Sequence, residues 1–421
     1  MATLIQQVYL IDPVDPAAVS ADGVGDVLID GGRVAAIAPT LPTDNATEII
    51  DGRGQFLGPG LIDLYSQSGE PGNESRETYE SITRAAAAGG FTRIGLLPNT
   101  QPAVDSVSAL AALHQLNHQP LSASILPWAA ITQSAAGEQL TELAELAAAG
   151  AVGFTDAQPL NNSALLRRLL EYAQPLHKPI SLWPCDLKLA GDGAAREGPD
   201  ALRLGLPGVS AIAETTALAA LLECIAEIPT PIHIMRVSTA RSVALLRQAK
   251  AQGLPVTASV PWHHLIFDTQ DLLHYDPNLR HDPPLGTPAD RQGLIAGVAE
   301  GVVEAIAIDH SAYTYEEKTV AFDNAPPGAI GLELALPVLW QTFVASGQWS
   351  PVDLWQRLSQ GPAQCLGLAC PCLKVGSPAE LTLFDPRIHW QATADSLHSL
   401  GRNTPWIGKP IQGKVVSTFN G

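Results

Sequence analysis

Gly58-Pro59-Gly60-Leu61-Ile62-Asp63-Leu64-Tyr65-Ser66-Gln67 reads as a buried strand introduced by turn residues and ending in polar ones. Seven further apolar runs of similar length follow it. With Leu57 to Tyr65 as the first, the candidate strands are Phe91 to Leu97, Ala123 to Ala129, Ala151 to Thr155, Pro179 to Trp183, Pro231 to Val237, Pro255 to Val260 and Glu304 to Ile308. Helical stretches rich in Ala, Leu, Glu and Arg lie between most of them, notably Glu77 to Ala88, Glu138 to Ala149, Ala164 to Ala173 and Ala240 to Ala251. Ser238 or Thr239 is placed to cap the last of these. Eight βα units predict an α/β chain folded as a (β/α)8 barrel. A doubly wound open sheet ranks second, because no G-x-G-x-x-G opens the first helix.

In such a barrel the chemistry sits at the C-terminal ends of the strands. Those ends carry Tyr65 and Gln67, Asn99, Trp128, Asp156, Trp183, Arg236, His263 and Asp309. Both ends of the chain differ from the middle. Thr3 to Leu10, Val24 to Asp30, Arg33 to Ala38, Glu48 to Asp51, Glu380 to Phe384 and Lys414 to Thr418 are strand-like and separated by Gly, Pro and Asp turns. We therefore expect a barrel over residues 58–373 and a small β domain built jointly from 1–57 and 374–421.

Composition narrows the partners. The 421 residues include 42 acidic and 24 basic side chains, a net charge of −18, which argues against nucleic acid or an anionic membrane as partner. No apolar run approaches the roughly 20 residues that span a bilayer. Five cysteines, an odd number in a long chain, argue against a disulfide framework and for a reducing cytoplasm. Cys370-Pro371-Cys372 is a weak metal or redox signal, since no second Cys/His pair lies nearby.

Several motifs, in order along nearly the whole chain, resemble bacterial dihydroorotases of the amidohydrolase superfamily. They are Gly58-Pro59-Gly60-Leu61-Ile62-Asp63, Glu70-Pro71-Gly72, Arg84 through Thr92, Pro98-Asn99-Thr100, Arg236 through Ser242, His263-His264-Leu265, Pro283-Pro284-Leu285, Ala307-Ile308-Asp309-His310 and Asn403-Thr404-Pro405. The resemblance implies a (β/α)8 barrel with a small β-sandwich from both termini. It also implies reversible hydrolysis of the ring amide of dihydroorotate in pyrimidine synthesis. In that chemistry zinc polarises the carbonyl and activates water, while an aspartate moves protons.

Carried over by motif, the family's six metal positions fall on Tyr65, Gln67, Asp156, Trp183, Arg236 and Asp309. Both carboxylates remain and all four histidines are replaced. Phenol and amide are poor substitutes for a neutral imidazole, and an indole cannot ligate. Of the matched substrate-binding side chains, Asn99 is retained, while Gly69, Asp282 and Tyr313 stand where the family has Arg, Asn and His. Asp309 becomes a vestigial catalytic residue. Arg236 is expected to pair with Asp156, Asp309 or both in place of the metal. His263, His264, His233, His281 and His310 come from scattered directions and are not expected to rebuild a zinc site.

No cofactor is thus expected, and zinc only if the chain is active. The first functional reading is an inactive dihydroorotase-like chain kept for association. The resemblance supplies aspartate carbamoyltransferase as its partner and implies an oligomer. The alternatives are a hydrolase of a cyclic amide with an atypical site, and a small-molecule binding protein.

Overall fold

Pro59 and Leu61 belong to different sheets. The computed structural model describes residues 2–12, 20–44, 46–119 and 121–421. In it Phe56–Pro59 pairs antiparallel with Leu381 to Phe384 and parallel with Tyr9 and Leu10. Leu61–Ser66 instead pairs parallel with Phe91–Leu96. The run from Leu57 reads as one strand because both halves are buried, Leu57 and Leu61 each being fully covered. The break falls at Gly60, so the barrel begins there and not at Leu57. Close packing explains the neighbouring glycine. A Cβ on Gly58 would lie 2.4 Å from the Trp355 indole nitrogen, whose N–H donates to the Pro59 carbonyl at 2.8 Å.

The barrel strands are, in order, Leu61–Ser66, Phe91–Leu96, Ser124–Ala129, Gly153–Phe154, Ile180–Leu182, Ile232–Ile234, Val256–Pro261 and Ala305–Ala307. Each pairs in parallel with the next. Strands one and eight meet without a regular ladder. The Gln67 N–H donates to the His310 carbonyl at 2.8 Å, the Asp309 N–H to the Tyr65 carbonyl at 3.2 Å, and the Ile308 N–H to the Asp63 carboxyl at 2.9 Å. Burial raises the pKa of Asp63 to about 7. Each of the eight expected stretches overlaps one barrel strand, the first of them also taking in the end of Phe56–Pro59, and the connecting helices start at capped residues such as Thr78, Asn162 and Thr239. Thr239, not Ser238, caps the helix after strand six.

Both termini contribute to a separate seven-stranded sheet: Thr3–Leu10, Val24–Asp30, Arg33–Ala38, Glu48–Asp51, Phe56–Pro59, Glu380–Gln391 and Pro410–Asn420. The expected β domain from the two ends is thus one continuous hydrogen-bonded sheet. Its core, around Ile5, Val27, Leu57, Leu381 and Leu383, is distinct from that of the barrel. The five cysteines are free thiols, Cys370 and Cys372 included. Among the described residues no helix is long and apolar enough to cross a membrane.

The Trp355 contact generates a prediction. Trp355→Ala opens a cavity against Gly58 at the seam of the two sheets, a loss of about 3–5 kcal/mol, measured as a lower urea midpoint.

Candidate functional site

Three non-glycine residues at the C-terminal ends of strands four, six and eight adopt left-handed backbone: Ala157 at φ 57°, Arg236 at 58° and Asp309 at 49°. Such conformations are uncommon for side chains with a Cβ and cluster at functional sites. All three residues line a cavity of about 250 Å³ at the barrel mouth, together with Gln67, Asn99, Trp183, Asp282 and Tyr313.

Arg236 organises its floor. Its Nε and Nη2 donate to Asp309 Oδ2 and Oδ1, each at 2.8 Å, and Nη1 donates to the Ala157 carbonyl at 3.2 Å. The two side chains are 6% and 14% exposed. This is the planar two-pronged geometry that suits guanidinium to carboxylate. Burial alone would lower the Arg236 pKa; the Asp309 carboxylate outweighs it and holds the group above its usual value. The Trp183 ring covers the guanidinium, 5.1 Å from its centroid.

Asp156 is not part of this pair, and it does not face Asp309 across the pocket. Its carboxylate accepts hydrogen bonds from the Thr132 N–H at 2.9 Å and the Thr132 hydroxyl at 2.6 Å, and burial raises its pKa. Ala157, not Asp156, lines the cavity. Thr132 follows strand three, and no pattern in the chain couples it to Asp156.

Gly69 sits in a turn too tight for any side chain: a Cβ there would lie 2.3 Å from the Asn73 carbonyl oxygen. Asn99 and Gln67 lie half-buried in the wall. The Tyr313 hydroxyl donates to the Pro327 carbonyl at 3.1 Å, and its ring carries Arg76 at 4.9 Å and Lys318 at 5.2 Å. Asp282 has no hydrogen-bond or ion-pair partner among the described side chains. Local shielding raises its pKa, with Asp309 adding to the rise and Arg280 and Arg236 opposing it.

The histidines divide into two groups. His310 points away from the pocket and donates through Nε2 to the buried Glu77 at 3.1 Å, while its Nδ1 accepts the Gly331 N–H. His233 lies inside the barrel. His263, His264 and His281, by contrast, gather on one wall of the cavity. The ring of His281 is 4.5 Å from that of His263 and 5.9 Å from that of His264. The expectation of scattered directions fails here because a loop returns His281 beside the residues after strand seven. His264 Nε2–H donates to the Pro283 carbonyl at 3.0 Å, which leaves Nδ1 without a partner. His263 Nε2, His281 Nε2 and the Trp183 N–H are likewise buried and unpartnered. Among the described residues no three His, Cys, Asp or Glu side chains converge as metal ligands would. Trp128, expected at the mouth, lies within the barrel and donates to the Leu64 carbonyl at 2.8 Å.

Burial holds these rings neutral. The pKa of His264 falls to about 4, and those of His263 and His281 fall well below the usual value. The unfolded chain, with histidine pKa near 6.5, binds protons that the folded chain refuses. Their stabilisation is complete above about pH 6.5 and is lost as pH falls toward 4. Buried carboxyls with raised pKa, such as Asp156, act in the opposite sense, so a difference measurement isolates the effect. Between pH 6.5 and 4.5 the stability of His281→Asn should fall less steeply than that of the native chain, by about 1.4 kcal/mol per pH unit. Denaturant titrations at a series of pH values measure it.

Known proteins share this architecture. Residues 54–240 match a family model described as dihydro-orotase-like. A probable dihydroorotase-like protein of Synechocystis is 43% identical, with 93% of this chain and 94% of that protein covered. Dihydroorotases of Pelotomaculum thermopropionicum and Pelobacter propionicus are each 36% identical. The first match covers 94% of this chain and 92% of its relative, the second 100% and 98%. Among solved structures, an L-hydantoinase from Arthrobacter aurescens superposes with a TM-score of 0.84 at 23% identity, covering 100% and 96% of the two chains. A dihydropyrimidinase from Brevibacillus agri gives 0.82 at 22%, covering 99% and 93%. These full-length relatives place the chain in the dihydroorotase-like family of pyrimidine metabolism.

Proposed function

We propose that this chain is a metal-free, non-hydrolytic member of its family, retained as a structural or regulatory partner of another protein. The observation that carries the reading is the two-pronged pairing of Arg236 with Asp309. Zinc is held by lone pairs on nitrogen, sulfur or oxygen. A guanidinium has none to offer, and here it engages both oxygens of the retained carboxylate. Trp183 covers it. The Tyr65 phenol is pushed further from ionisation by burial, and next by Asp309. Asp156 accepts two hydrogen bonds from Thr132 and does not line the cavity. These residues do not fit a zinc ion. Without one, nothing at the cavity floor is set to polarise an amide carbonyl.

Substrate chemistry supports the same reading. Gly69 leaves no room for a carboxylate-binding arginine, and Asp282 brings a negative charge toward an anionic ligand. The partner we propose is aspartate carbamoyltransferase, on the strength of the family resemblance. A second reading, a small-molecule binding protein, is favoured by the unpartnered ring nitrogens around a cavity that still holds Asn99.

Metal analysis of the purified protein, paired with a dihydroorotate turnover assay, tests the first reading. We expect substoichiometric zinc and no turnover. Stoichiometric zinc with turnover overturns it and restores the atypical hydrolase. Co-purification with a carbamoyltransferase chain separates association from small-molecule binding. Arg236→Ala should cost about 3–5 kcal/mol, because it leaves Asp309 buried and unpaired; an unchanged melting temperature would count against the pairing.

A further inference from the structure

Tyr65 touches both halves of the ion pair. Its hydroxyl accepts the Arg236 backbone N–H at 3.1 Å, and its carbonyl accepts the Asp309 N–H at 3.2 Å. Those are the two left-handed residues that form the salt bridge. The same hydroxyl continues into the barrel. It lies 3.0 Å from Ser259 Oγ, which lies 2.8 Å from His233 Nε2, and His233 Nδ1 lies 2.9 Å from Thr257 Oγ1. Tyr65, Ser259 and His233 are all buried.

Only one arrangement of protons satisfies this column. The Arg236 amide must donate, so the Tyr65 oxygen accepts there. No acceptor for the Tyr65 hydroxyl proton is present among its described contacts except Ser259. If Ser259 donated toward Tyr65 instead, a buried O–H would be left without a partner, at a cost of about 1–3 kcal/mol. Tyr65 therefore donates to Ser259, Ser259 donates to His233 Nε2, and His233 Nδ1–H donates to Thr257. Burial, with Lys250 adding to it, lowers the His233 pKa to about 3, which keeps the ring neutral as this direction requires.

We propose that Tyr65 is the positioning residue of the Arg236–Asp309 pair, and that it is held by a one-way hydrogen-bond chain that fixes His233 as the Nδ1–H tautomer. An aliphatic side chain at position 65 would free the Arg236 amide and break the column. The family's histidine position has thus become a strut: it braces a cation and an anion in strained backbone instead of ligating an ion. The inference rests on the ion pair that the proposed function invokes, but zinc content tests that function and the His233 tautomer tests this device, so the two fail separately.

The test uses the full chain with nitrogen-15 in histidine, arginine and isoleucine. In the native protein the His233 resonances should show Nδ1 protonated and Nε2 bare. Tyr65→Phe should speed hydrogen exchange at the Arg236 amide about tenfold, the equivalent of one hydrogen bond, while exchange at Ile234, in the strand that precedes it, holds. Ser259→Ala should disturb the His233 signals and leave the Arg236 amide protected. A protonated Nε2 in the native chain overturns the proposal, as does an unchanged Arg236 amide in Tyr65→Phe. Should that variant fail to fold, the native tautomer still decides the matter.

Discussion

The buried bond between Arg236 and Asp309 ties together the ends of strands six and eight, and through the Ala157 carbonyl it reaches strand four. A lone charge of either sign at this depth would be costly, so the two residues stand or fall together. Such a pair is not a strong stabiliser when measured against well-packed apolar groups. What it does impose is geometry. A planar fork must meet a planar carboxylate, and the backbones that carry them must hold left-handed turns to bring them edge to edge.

The rest of the cavity follows from that requirement. Trp183 lies over the guanidinium and shields it from water, and Tyr65 fixes the backbone on both sides. Asp156 is held separately: two hydrogen bonds from Thr132 favour its charged form, against burial, which raises its pKa. The three histidines beside the cavity are kept neutral by burial, so they add hydrogen-bonding atoms without adding charge. At the mouth of the barrel the guanidinium and the Asp309 carboxylate satisfy each other, while Asp282 stands in the wall without a charged partner. This internal pairing underlies the proposal that the chain acts through what it binds rather than what it cleaves.

Much of the architecture was legible in the residues because strand burial has a simple signature. Eight short apolar runs separated by helical stretches name a barrel, and strand-like segments at both ends name a second sheet. The boundary between them was not legible. Leu57 and Leu61 are equally buried, and hydrophobicity does not record which sheet a residue pairs with. The site divided along the same line. That Arg236 stands where a ligand would be, with a carboxylate within reach, follows from register. That it takes Asp309 and leaves Asp156 to Thr132 does not, because the choice depends on which way a turn directs each side chain.

The sequence by itself determined the kinds of atoms available at the six matched positions: a guanidinium, two carboxylates, an indole, a phenol and an amide, with no imidazole among them. Those identities settle what can share a lone pair and what can only donate a proton. The tertiary structure alone decided the pairing. It brought His281 back beside His263 and His264, joined Tyr65 to both partners of the ion pair, and aligned Tyr65, Ser259 and His233 into one column. Those contacts join residues far apart in the chain, and hydrogen bonding acts only over about 3 Å. Spacing along a sequence cannot state such distances; the closure of the barrel does.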